Sequence, residues 1–423
     1  MTPIVAFNTI VGVVFGLCFL YQVVFFFVGL LRGEVRIPQA KKQHSYAFFI
    51  AAHNEEAVIA NLVKSIREQD YPSELIDIFV VADACTDNTA QAAREAGAIV
   101  YERNDLSRKG KSWVMDYGFD RILKEYPGKH EAFFIFDADN LLSRDYVKIM
   151  NDAYDQGYLA LTSYRNSKNF GSSWISSAYA TWFMREARYL NNARMICGTS
   201  CAVSGSGYLV SAKIIQGMHG WDFHTLTEDI QFTTFCAIHG VRIGYAPAEF
   251  YDEQPVKLKA SIKQRMRWTK GFYQVLFTYG RHIFTSITKF RRFAAYDMLM
   301  VIGPAMLLTL MCLLVNVTFI VVGSLSHGFL ATDAEIEMAF GSVVMMLAYM
   351  YFTFFIMACS RRSPSASTFT ARKMAHRHQP VHVPHLHVHL HPVDGRGALP
   401  QGRLGATPHD VSVTLDEVLD GAK

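Results

Sequence analysis

Charged residues are missing from the first 31 positions of this chain, and lysine and arginine are missing again from "GSLSHGFLATDAEIE", residues 323–337. The first absence removes the basic start that a cleaved signal peptide needs. The apolar run Ile4–Leu31, broken by Asn8, Thr9 and Gln22, is therefore expected to remain as a membrane span. Met298–Val322 and Met338–Cys359 are two further runs of spanning length. Basic residues stand beside these runs, at Arg32, Arg36, Lys41 and Lys42, at Arg281, Lys289, Arg291 and Arg292, and at Arg361 and Arg362. With the second absence, they place the N-terminus and the 323–337 loop outside and Arg32–Arg292 in the cytosol. A zinc set is also missing. Cys197 and Cys201 have no His or second Cys pair nearby, so the seven cysteines are expected as reduced, mostly small buried residues. A glycine-rich turn is missing where the first expected strand ends in His53-Asn54-Glu55-Glu56, which disfavours a dinucleotide-binding oxidoreductase. The net charge of +4 is modest and lies largely beside the apolar runs. It fits anionic lipid rather than nucleic acid.

What the chain does hold is apolar side chains, 51% of its 423 residues, with 31 Phe. Between residues 45 and 140 they alternate in two periods. "YAFFIAA", "IDIFVVAD", "AIVYER" and "AFFIFDAD" read as strands, and "EEAVIANLVKSIREQ", "DNTAQAAREAG" and "KSWVMDYGFDRILKEY" as the helices between them. Strands separated by helices predict an α/β fold with a mostly parallel sheet and helices on both faces. Ligands on such sheets bind beyond the carboxyl ends of the strands. Three of those ends are polar: His53–Glu56, Asp83 with Cys85–Asn88, and Asp137-Ala138-Asp139. Several acids on one rim repel one another unless cations or hydrogen-bond donors offset them.

Three later features bear on that rim. Asp-x-Asp after a buried strand suits Mg²⁺ or Mn²⁺, which take hard oxygen ligands and share them with substrate phosphates; a turn or a helix cap is its plainer use. "LTEDIQ", residues 226–231, places Glu228 and Asp229 in a stretch poor in charge, where a carboxylate can serve as general base. It also reads as a helix start with Thr227 as cap. "IKQRMRWTKGF", residues 262–272, puts Gln264, Arg267 and Trp268 on one helical face. Arginine suits phosphate and tryptophan suits a sugar ring, yet the segment also reads as a basic amphipathic helix on a membrane surface.

In order, "AAHNEE", Asp83, "FDAD", "TED" and "QRMRW" resemble the motifs of the membrane-bound family-2 inverting glycosyltransferases, the group of cellulose, chitin, hyaluronan and poly-N-acetylglucosamine synthases. The resemblance covers about residues 1–360. It implies a GT-A fold with about three transmembrane helices and an interfacial helix. The implied parts are a span at 1–31, the transferase domain at 45–255, interfacial helices at 256–292 and two spans at 298–359. It implies a nucleoside diphosphate sugar, with UDP the expected nucleotide, and a carbohydrate or lipid acceptor. Mg²⁺ or Mn²⁺ would sit on Asp139 and Asp137, with Asp139 the more direct ligand, and Asp229 would be the base. Glu55, Asp83, Asp137, Lys111, Glu228, Gln264, Arg267 and Trp268 would bind substrate, Asp83 contacting the nucleotide base. Lys109 and Lys111 in "SRKGKSW" are candidates for the diphosphate, with solvated loop charges the alternative. "GTSCAVSGSGYLVS", residues 198–211, is similar to the family's glycine-bearing acceptor loop. The implied location is the cell membrane, multi-pass, with the catalytic domain cytosolic. A single-addition transferase onto lipid and a non-catalytic membrane subunit are the other readings. Residues 360–423 depart from the pattern as a His-rich tail, with seven His in "HRHQPVHVPHLHVHLHP", and are expected to be poorly ordered. "PHDVSVTLDEVL" then looks like a family-type C-terminus again, a departure and return resembling a locally altered reading frame.

Overall fold

A computed structural model of the chain describes residues 2–326, 331–359 and 413–420. They form two compact units, one within Cys18–Ala305 and Leu390–Lys423, the other within Met1–Leu17 and Met306–His389. Most of the His-rich tail lies outside the described residues.

After helix α1 (Pro3–Arg32), the larger unit opens as β1 (Tyr46–Ala52), α2 (Ile59–Arg67), β2 (Ile76–Asp83), α3 (Thr89–Glu95), β3 (Ile99–Arg103), α4 (Lys111–Glu125) and β4 (Ala132–Asp137). It continues through β5 (Leu141–Leu142), α5 (Tyr146–Tyr154), β6 (Ala160–Ser167) and α6 (Trp174–Met184). A π-helical turn, Arg185–Asn191, leads into α7 (Asn192–Ile196), β7 (Tyr208–Ser211), α8 (Ala212–Gly217), α9 (Glu228–His239), β8 (Ile243–Asp252) and α10 (Leu258–Thr288). The strands make one eight-stranded sheet in the order β3-β2-β1-β4-β7-β6-β8-β5. The first four run parallel. Beyond β4 the sheet is mixed: β7 is antiparallel to both its neighbours, β6 and β8 are parallel, and β5 is antiparallel to β8. The expected mostly parallel sheet is thus confined to one half. Part of the expected small-residue loop is strand β7.

Helices cover both faces of the sheet. On one, Val114, Met115, Phe119 and Ile122 of α4 pack on Phe49, Val81 and Phe133. On the other, Ile59, Leu62, Val63 and Ile66 of α2 pack with α5 on Phe48, Val80 and Phe134. β1 is buried on both faces, which is why it reads as an unbroken apolar run. Gly118 allows α4 to lie this close, since a Cβ there would stand 2.2 Å from the Phe49 ring. Phe49 in turn stacks on Phe119 at 4.8 Å.

Among the described residues, two helical runs are long and apolar enough to cross a membrane: Pro3–Arg32, and Phe293–Leu325, formed by α11 (Phe293–Ile302) and α12 (Pro304–Leu325). The third expected span falls within α13 (Asp333–Cys359) and is not one of these two. The polar interruptions have partners. In the smaller unit Asn8 and Asn316 exchange side-chain hydrogen bonds at 2.8 Å in both directions. In the larger, Asp297 takes two bonds from Arg194, at 2.7 and 2.9 Å, and one from Tyr21 at 2.8 Å. Cys201 is buried as expected, whereas Cys197 is exposed. Of the tail, residues 413–420 are described and carry a short helix, α14 (Leu415–Asp420).

Candidate active site

The parallel strands place their polar ends on one side of the sheet. Ala51 of β1 stands in register with Val81 on one flank and Asp137 on the other, so Asp83 and Asp137 flank the end of β1. At the first two ends the chain ties itself together. The Asp83 carbonyl lies 2.6 Å from His53 Nδ1, the Glu55 amide donates to Thr89 Oγ1 at 2.8 Å, and Asn54 and Ala84 adopt positive φ. The Asp83 carboxylate accepts from Arg103 Nη1 at 2.5 Å. Arg103 is the last residue of β3, the strand end that sequence analysis left unread.

Lys111 joins the end of β4 to the start of α9. Its Nζ lies 2.5 Å from Asp137 Oδ1, 2.7 Å from the Gly205 carbonyl and 3.8 Å from Glu228 Oε1. Burial works against its charge, but Asp137 and Glu228 hold its pKa above the ordinary lysine value. The expected lysine is therefore inside the site, bridging carboxylates, rather than in solvent. The backbone amides of Ile230 and Gly205, with Lys111, favour the charged form of Asp229. Burial still pushes its pKa above the usual aspartate range, and burial does the same for Glu228 beside it. Gly205, whose carbonyl accepts from Lys111, has φ +73°, a backbone setting that favours glycine. Thr227 precedes α9 as expected, yet its hydroxyl makes no capping bond.

Helix α10 closes against this region. A Cβ at Gly271 would stand 2.5 Å from Thr227 Oγ1, and Gln274 Oε1 accepts from the Leu226 amide at 3.0 Å. Arg267 is exposed, and its charge lowers the pKa of both Glu228 and Asp229. Trp268 sits edge-on to Tyr179 and Phe183, with ring centres 5.9 and 6.3 Å away. Gln264 Oε1 is buried with no hydrogen-bond partner among the described residues. Lys109 makes no contact among the described residues that assigns it a role.

Behind the Asp-x-Asp turn lies a polar cluster that sequence analysis missed. Asn140 Nδ2 donates to Asp252 Oδ1 at 2.7 Å and to Asp139 Oδ1 at 3.2 Å. Ser206 Oγ bonds to Asn140 and accepts from the Asp137 amide. Asp252 pairs with Arg165, which also donates to the Ser204 carbonyl at 3.0 Å and lies 3.8 Å over the Phe183 ring. Glu186, on the π-helical turn, is a further half-buried acid. Burial raises its pKa, and it feels the charges of Arg194, Arg165 and Asp229.

No group of three or more His, Cys, Asp or Glu gathers for a metal among the described residues. Asp137 and Asp139 nevertheless suit a hard divalent cation that draws its remaining ligands from substrate phosphates. Lys111 is ion-paired with Asp137.

A model of the family described as "Glycosyltransferase like family 2" matches residues 43–271. Among curated proteins, a beta-monoglucosyldiacylglycerol synthase of Synechocystis is 25% identical over 276 residues, 60% of this chain and 53% of that protein. The poly-beta-1,6-N-acetyl-D-glucosamine synthase of Staphylococcus aureus is 25% identical over 258 residues, 59% of this chain and 58% of that protein. The alignments thus span little more than half of either relative. Among solved structures, a mannosyltransferase of Pyrobaculum calidifontis, in complex with GDP-Man and Mn²⁺, superposes with a TM-score of 0.59 at 16% identity. That match covers 84% of this chain and 96% of the mannosyltransferase, a likeness of fold.

Proposed function

The chain belongs to the glycosyltransferase-like family 2, and on that premise we propose that it is an inverting transferase acting from a nucleoside diphosphate sugar onto a hydroxyl acceptor. The observation that carries this reading is the Lys111 bridge, which gathers Asp137, the Gly205 carbonyl and Glu228, the chain neighbour of Asp229, at one end of the sheet. One carboxylate, Asp229, is then available to an incoming hydroxyl. It takes that proton as the oxygen attacks the anomeric carbon, while the bond to the diphosphate breaks and its electron pair leaves with the nucleotide. One displacement inverts the anomeric centre. The raised pKa of Asp229 suits proton transfer from an alcohol better than an ordinary aspartate would.

Asp139, with Asp137, would hold Mg²⁺ or Mn²⁺, which when bound offsets the charge of the leaving diphosphate. Asp83 and Glu55 lie at the nucleotide end of the rim. Gln264, Arg267 and Trp268 form the face of α10 suited to the diphosphate and acceptor. The two apolar helical runs support a membrane location with the acceptor drawn from or passed to the bilayer.

A cell-surface or extracellular β-linked polysaccharide is the favoured product. A single sugar on a lipid is the second reading, since one relative is named for a glucosyldiacylglycerol. Membranes holding the full chain, supplied with a panel of UDP-sugars and Mg²⁺ or Mn²⁺, separate these readings by product size. A product with retained anomeric configuration, or no product from any nucleotide sugar, would remove the proposal.

A further inference from the structure

The described C-terminal residues meet the sheet beside the Asp-x-Asp turn. Helix α14 is only six residues long. An isolated helix of that length does not hold its shape in water, so its order comes from its cap and its contacts. Thr414 and Glu417 form a reciprocal cap: the Thr414 amide donates to Glu417 Oε2 at 2.7 Å, and the Glu417 amide to Thr414 Oγ1 at 3.4 Å. Leu415 is buried against Leu141 and Tyr251, with Val413 and Val418 alongside. Asn61 of α2 donates to the Val413 carbonyl at 3.2 Å.

Leu141 and Tyr251 are cross-strand partners on β5 and β8, and β5 is the edge of the sheet. Each is the chain neighbour of a residue in the polar cluster. Leu141 follows Asn140, and Tyr251 precedes Asp252. Asn140 and Asp252 are hydrogen-bonded to each other, and Asn140 also reaches the Asp139 carboxylate. An apolar contact and a polar contact thus lie one residue apart on the same pair of strands.

We propose that residues 413–420 act as a clasp on the donor end of the site. By seating Leu415 on the Leu141–Tyr251 pair, the segment holds the adjoining Asn140–Asp252 pair, and through Asn140 the Asp139 carboxylate, in position for the nucleotide sugar. The proposal rests on the reading of Asp139 as a donor-site ligand. Leu415 is a positioning residue in this scheme and touches no substrate. A clasp of this size has a small contact area. Its tether supplies a high local concentration, so a free peptide would need roughly millimolar levels to replace it.

The test uses the full chain in detergent or nanodiscs and compares wild type with Leu415→Asp and with the gentler, exposed-site Glu417→Ala. Hydrogen exchange at 137–142 is expected to quicken in both, more in Leu415→Asp. The KM for the nucleotide sugar should rise about tenfold in Leu415→Asp while kcat stays within about twofold. A peptide of residues 408–423 added in trans should bring KM back. A lower melting temperature with unchanged exchange at 137–142 and unchanged donor KM would mean a mere edge cover and would overturn the clasp. Quickened exchange in a protein whose wild type turns over no nucleotide sugar would keep the clasp and remove the glycosyltransferase reading instead. Should Leu415→Asp fail to fold, Glu417→Ala carries the same two outcomes at smaller amplitude.

Discussion

β1, β2 and β4 are almost wholly apolar until β2 and β4 end in Asp83 and Asp137, whereas β6 and β8 carry Arg165, Asn166, Glu249 and Asp252. The first half is held by the hydrophobic effect, at about 1.5–3 kcal/mol for each large side chain fully buried. The second half shares that apolar packing through Leu161, Leu209, Val210, Tyr245 and Phe250, and adds paired polar groups: Arg165 with Asp252, Asn166 with Glu249, and Asn140 with Asp252. The difference suggests a division of labour. On the proposed function, the parallel half would provide the rim for the nucleotide, and the polar pairs of the mixed half would brace the Asp-x-Asp turn through Asn140.

That contrast can be broken most sharply at the rim. Asp139→Ala removes the carboxylate assigned to the cation and should lower turnover about 10²–10⁴-fold, the scale of several kcal/mol of charge stabilisation. Loss of Mn²⁺-dependent UDP binding should accompany it, and calorimetry checks this. Next comes the ion pair. Arg165→Met leaves Asp252 buried without its cation and should cost about 3–5 kcal/mol of stability by denaturant titration. Arg165→Met combined with Asp252→Leu should cost less than the single change. If both are equally harmful, the pair is not what holds the mixed half.

Two glycines extend the comparison at smaller amplitude. Gly118→Ala in the parallel half pushes a Cβ to 2.2 Å from Phe49. The expected cost is about 1–3 kcal/mol by overpacking. Gly207→Ala in the mixed half meets Phe250 at 2.1 Å and also forces a side chain onto φ +66°. It should cost about 1 kcal/mol more than Gly118→Ala. Thermal melts of the two variants rank them. The smallest effect is on pH dependence. Asp229 must be ionised to accept a proton, so activity falls as pH drops through its raised pKa. Lys111 lowers the pKa of both Glu228 and Asp229. Lys111→Gln therefore raises them, and the acid limb of the pH–rate profile should move to higher pH.

The same contrast decides what could be read from the sequence. β1 and β2 were legible to the residue, and β3 and β4 within two at either end, because apolar runs separated by amphipathic helices have few other folds. Of the motif residues, Asp137 and Glu228 are joined by Lys111, and Arg267 lowers the pKa of Glu228 and Asp229. β6 and β8 were not legible, since Arg165, Asn166 and Glu249 interrupt any apolar period. β7 hid among small residues behind Gly205 and Gly207. Arg103, Asn140 and Asp252 gave little local signal: Arg103 pairs with Asp83 20 positions away and Asn140 with Asp252 112 positions away. Only Arg103 was within reach, by applying the strand-end rule to β3. The Thr227 cap was placed correctly, but its hydrogen bond is not made.

The central claim is that Asp229 is the proton acceptor, a role separable from donor binding. The direct measurement is Asp229→Asn, with sugar transfer and UDP binding followed on the same preparation. Transfer is expected to fall about 10²–10⁴-fold while UDP affinity stays within about twofold. Undiminished transfer by this variant would contradict the account.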